Sequence, residues 1–69
     1  MLKKLAANCT VVDEKMGYSY ETKVVWTCLE TKRIFIDAQV YSKTTTKHKK
    51  MLVAYLSGKY PEIRQFELV

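Results

Sequence analysis

The chain has 69 residues, enough for one domain with a small core and little margin of stability. With 48% hydrophobic and 28% charged residues it reads as globular, which excludes a disordered segment. Twelve Lys and Arg against seven Asp and Glu leave a net charge of +5, which favours polyanionic partners, and no apolar run approaches the roughly 18 residues of a membrane span.

The first residues, MLKKLAANC, carry basic groups but too short an apolar segment for a signal peptide, so an intracellular location, cytoplasm or nucleus, is expected. In that setting Cys9 and Cys28 read as reduced, buried thiols, and their spacing matches no metal site. One His, no paired carboxylates in a cleft-forming motif and no Gly-rich phosphate loop leave nothing from which to assemble a catalytic centre. No enzyme activity, cofactor or metal is therefore expected.

In chain order, Leu2 to Asn8 reads as a short helix, because Leu2, Leu5 and Ala6 share a side. Cys9 to Glu14 has the β-branched content of a strand. Lys15 to Ser19, with Gly17 among polar neighbours, reads as a turn. Tyr20 to Cys28 alternates, with Tyr20, Thr22, Val24, Trp26 and Cys28 on one face. Leu29 to Lys32 turns the chain, and Ile34 to Tyr41 follows with Ile34, Ile36, Ala38 and Val40 on one face. Pairing Trp26 with Ile36, Val24 with Ala38 and Thr22 with Val40 keeps the inward residues together, through an odd-length loop with a bulge around Glu30 to Lys32.

Ser42 to Leu56, SKTTTKHKKMLVAYL, is the most informative stretch. His48, Met51, Leu52, Tyr55 and Leu56 recur at helical spacing, while Lys43, Lys47 and Lys50 gather on the opposite side and Lys49 lies nearer the flank. The start of this helix holds no acid, although a helix N-terminus is stabilised by negative charge. A bound anion is the expected compensation. Ser57, Gly58 and Pro61 end the helix, and the tail EIRQFELV docks on the domain or pairs with a sheet edge. The expected core is Val24, Trp26, Ile36, Ala38, Met51 and Leu52; His48 reads as a core-edge residue, and Phe35 as an aromatic on the polar face. The fold class is thus α+β: a short N-terminal helix, a three-stranded antiparallel meander and one C-terminal helix on one sheet face. It spans 1–69 as a single domain, with its core at about 6–58 and a tail at 59–69.

This order of elements resembles the double-stranded RNA-binding domain over about Ala6 to Leu56. YETKVVW is similar to the family's second strand, VVDEKMGYSY to the first strand and its loop, and AQVYSK to the approach to the last helix. The resemblance implies lysines at the start of that helix reaching phosphates across a major groove, with the first helix and first loop in the flanking minor grooves. Aligning Ser42 and Lys43 with the family's Ser-Lys places Lys43 and Lys47 at phosphate positions but turns Lys49 and Lys50 inward. Aligning Thr44 to Thr46 with its Ser-Lys-Lys start buries His48, Met51, Leu52 and Tyr55, leaving Lys49 as the matched lysine and Thr45 and Thr46 in place of the others. Burial energy favours the second. The first loop has Met16, Gly17, Tyr18 and Ser19 where the family has Pro and His, and the first helix lacks the family's acidic and Gln residues.

The function expected on these grounds is an RNA-binding module. It would contact duplex phosphates without base readout through Lys43, Thr45, Thr46, Lys47, Lys49 and Lys50, with Lys15 and Tyr18 from the first loop. The alternative is a protein-interaction or homodimerisation module using the edge strand Ile34 to Tyr41 or the C-terminal tail.

Overall fold

The computed structural model describes residues 2–69. Six strands and one helix follow in the order β1 (Leu2–Ala6), β2 (Cys9–Val12), β3 (Met16–Ser19), β4 (Thr22–Cys28), β5 (Arg33–Ile36), α1 (Lys43–Lys59) and β6 (Gln65–Leu68). The strands form a single sheet in sequence order, β1-β2-β3-β4-β5-β6. The first five make an antiparallel meander, and β6 returns after the helix to lie parallel to β5. The architecture is a six-stranded mixed sheet with one helix.

This differs from the expected helix, three-stranded meander and helix. Leu2 to Ala6 is a strand: Leu2, Lys3 and Lys4 stand opposite Val12, Val11 and Thr10, so the ladder satisfies backbone groups that an isolated seven-residue helix satisfies poorly. Lys15 to Ser19 is no turn either, since Met16 to Ser19 pairs on both sides. The true turns carry left-handed residues at Asn8, Asp13, Glu14, Tyr20 and Lys32, none of them glycine. Gly17 instead sits in mid-strand because the helix comes down on it. A Cβ there would stand 2.7 Å from a Leu52 methyl.

The β4–β5 register is one residue away from the expected one: Trp26 lies opposite Phe35 and Val25 opposite Ile36. A register shift on the β3 side is the physical cause. Gly17 pairs with Val25 and Tyr18 with Lys23, so Val24 is an extra residue in the ladder. Val24 and Val25 are both fully buried, and strict alternation breaks there. The expected second hairpin strand, Ile34 to Tyr41, shortens to Arg33–Ile36, and residues 37–42 form an irregular link to the helix. The β4–β5 loop is the four residues Leu29 to Lys32.

The helix begins after Ser42, whose hydroxyl accepts from the Thr45 N–H, and continues through Gly58 to Lys59. Its buried face is Thr45, His48, Leu52 and Leu56. It lies over β2, β3, β4 and β5. Cys9, Val11, Val24, Val25, Ile34, Leu52, Leu56 and Ile63 make the core. Of the expected core set, Trp26, Ile36 and Met51 are half-buried and Ala38 is exposed. No helix among the described residues is long and apolar enough to cross a membrane.

Candidate nucleic-acid interface

The helix start is built on a buried polar cluster. Thr45 and His48, one turn apart, point inward to Ser19 at the end of β3. The Ser19 hydroxyl lies 3.0 Å from Thr45 Oγ1 and 2.8 Å from His48 Nδ1. All three side chains are buried, so each hydroxyl needs a partner inside the protein and finds one there. The Tyr20 ring stands 6.0 Å from the imidazole. Thr45, expected at an RNA contact, is thus a packing residue, and Thr46 is exposed with its hydroxyl donating to the Ser42 carbonyl. The signal for this cluster was present in the sequence as two polar residues at i and i+3 on an apolar helix face.

Lys49 is also committed. Its ammonium donates to the carbonyls of Asp37 and Gln39, both at 2.6 Å, and stands 5.4 Å from the Tyr41 ring. It fastens the link 37–42 to the helix. Lys43, Lys47 and Lys50 remain exposed on the outer helix surface, and the first turn holds no acid. Lys15 is not beside them. The far end of α1 approaches Glu14, through Lys59 at 3.5 Å and the Tyr60 hydroxyl on the Glu14 carbonyl, so Lys15 lies a helix length from Lys43, about 25 Å.

Tyr18 belongs to a different surface altogether. The helix covers one face of the sheet, and the pairing assigns the other face residue by residue. One row crosses all six strands: Leu2, Val12, Met16, Trp26, Phe35, Glu67. A second row beside it reads Lys4, Thr10, Tyr18, Lys23. Val12, Met16, Tyr18, Trp26 and Phe35 are all only half-buried, since no second layer covers them. Trp26 and Phe35 stack with centroids 5.9 Å apart and planes 22° apart. The Lys23 ammonium hangs 5.0 Å from the Trp26 ring. Arg33, on the same face, donates to Gln65 at 3.0 Å and pairs with Glu67 at 3.3 Å. The expectation of a lone Phe35 on a polar face missed this surface. The one-residue register difference turns Trp26 outward to join it.

The remaining candidates are quieter. Cys28 closes β4 on the open face, where a hydrogen bond from the Thr31 hydroxyl holds its thiol below the ordinary value; burial pushes Cys9 up. Among the described residues, no group of three or more His, Cys, Asp or Glu could hold a metal ion. A cleft of about 300 Å³ lies between β1, β2 and the helix, lined by Leu2, Lys3, Val11, Glu14 and Tyr55.

The molecule is a meander closed by one helix, with an aromatic and basic sheet face left open. The chain belongs to the family of unknown function DUF8033, which residues 2–65 match. No curated protein and no solved structure matches it significantly.

Proposed function

We propose that the protein is a nucleic-acid-binding module that takes single-stranded RNA or DNA on its open sheet face. The observation that carries this reading is the stacked pair Trp26 and Phe35 in a row with Met16, flanked by Tyr18, Lys4 and Lys23. Unpaired bases stack on such aromatic faces, and each stacking residue contributes about 1–3 kcal/mol. The surrounding ammonium groups supply phosphate partners, and the net charge of +5 acts in the same direction. A flat sheet face suits splayed bases better than the groove of a duplex. The exposed Lys43, Lys47 and Lys50 lie on the opposite side of the molecule and support only weak, sequence-independent duplex contact. The reading involves no catalytic step. An intracellular compartment that keeps thiols reduced suits Cys9 and Cys28, both free.

Trp26 is the single tryptophan, so its emission reports directly on the proposed face. Titration with a short oligouridine or oligothymidine should quench it, with log K falling against log salt at a slope of about −2, as expected when three cationic groups meet a single strand. Phe35→Ala and Tyr18→Ala should each weaken binding by about 1–3 kcal/mol without loss of fold by circular dichroism. Replacing Lys43 and Lys47 with Glu should leave single-strand binding nearly unchanged. Binding that survives both aromatic substitutions but fails with the helix lysines changed would overturn the reading and return the site to the helix.

A further inference from the structure

The two edges of the sheet are unlike. The β1 edge carries Lys3 and Lys4 and an irregularity between Lys4 and Ala6, features that discourage another strand from adding. The β6 edge, Gln65 to Leu68, has no Pro, no Lys and an unbroken register with β5. The Val69 N–H donates to the Ile36 carbonyl, and the Val69 carbonyl accepts from the Ala38 N–H, so Val69 faces β5. Strand alternation then turns Glu67 toward β5 as well, and directs the N–H and C=O of Phe66 and Leu68 outward. Their side chains share the helix side of the sheet with Ile34 and Ile36. The helix lies over β2 to β5, so Phe66 is 42% exposed and Leu68 72%. Val40 and Val69 are exposed at the same end of the sheet.

We propose that this edge pairs with β6 of a second copy of the chain, antiparallel about a two-fold axis through Phe66. Charge complementarity selects that register. It sets Glu67 opposite Gln65 of the partner subunit, itself the acceptor of that subunit's Arg33, and gives the same contact in reverse across the axis. A two-fold through Glu67 would instead set two carboxylates face to face, which is unfavourable. A two-fold through Leu68 would set Glu67 opposite Val69 of the partner subunit, whose side chain offers the carboxylate no hydrogen-bond donor. In the chosen register Phe66 meets its own copy, and the exposed Leu68 side chains flank it on the uncovered side. Because the axis stands perpendicular to the sheet, both helices stay on one side. Both open faces then share the other, and the two aromatic rows become parts of one twelve-stranded surface.

Sedimentation velocity without nucleic acid tests this independently of the binding reading. The wild-type chain should shift from monomer to dimer between low micromolar and near-millimolar concentration, as befits a small interface. Leu68→Pro removes an outward N–H and no bond to β5, so it should sediment as a monomer at every concentration. Phe66→Lys, which puts a charge on the edge, should do the same. Both should keep the wild-type circular dichroism and Trp26 emission. A wild-type chain that stays monomeric throughout, or a dimer that persists in both variants, would overturn the proposal.

Discussion

At the scale of single residues, the link between β5 and the helix shows how charge is used locally. The Asp37 carboxylate accepts from the Tyr41 hydroxyl at 2.6 Å and from the Gln39 N–H at 2.9 Å, while Lys49 holds the Asp37 and Gln39 carbonyls from the helix side. The Tyr41 hydrogen bond, then the Gln39 N–H, lower the Asp37 carboxyl below its ordinary value; the same Tyr41 bond raises the phenol above its own. A carboxyl lowered in the folded state contributes stability above its unfolded value, and that stability is lost as pH falls through the lowered value. A phenol raised in the folded state contributes below its unfolded value and loses that contribution as pH rises through the raised one. Asp37→Asn should therefore melt below the wild type at neutral pH, and the gap should close on acidification. A Tm gap that is independent of pH would show that the carboxylate charge plays no part in the link.

At the scale of elements, β3 and α1 approach each other closely at Gly17. The Leu52 methyl groups occupy the space where a Gly17 side chain would stand, and Leu52 is fully buried, so it has nowhere to swing. Gly17→Ala should cost about 1–3 kcal/mol as an overpacking change. In the Leu52→Ala background the added methyl fills part of the vacated space, so the loss should shrink or reverse. Urea midpoints of the four proteins measure the coupling, and strictly additive values would show that the two residues do not meet.

The same contact explains what sequence reasoning reached and what it missed. The helix was legible because Ser42, a run of apolar positions at helical spacing and Pro61 all point to one segment. The strands were less so. Gly17 looked like a turn, whereas the turns are made by Asn8, Asp13, Glu14, Tyr20 and Lys32 in the left-handed region, which only tertiary pairing enforces. LKKLA has helical spacing, yet forms a strand because β2 offers it partners. The open face was hidden by one extra residue, Val24, which reverses the side on which Trp26 emerges. Lys49, the lysine favoured at a phosphate contact, is held inside its own chain by carbonyls that no spacing rule brings near it.

At the scale of the whole molecule, the core lies on one side of the sheet only. Ile34, under the helix, is fully buried, while Trp26 is only half-buried despite its size. Ile34→Ala should cost about 2–5 kcal/mol, enough to unfold much of a domain this small. Trp26→Ala should cost less and leave the chain folded, contrary to what an inward tryptophan would require. Thermal melts of the two variants side by side decide the matter.

The parallel return of β6 has a consequence for how the chain assembles. Five strands and their tight hairpins bring together residues that are near one another in sequence, so the meander is composed of fast, local steps. Strand β6 pairs with β5 across a crossover of 28 residues between Ile36 and Gln65 that contains the helix, so loop-closure entropy makes it the slowest pairing to form. Until then β5 is an open margin with Ile34 and Ile36 beside it. The final strand acts as a latch, set last, and the interval before it closes is when chains are most open to joining the wrong neighbour.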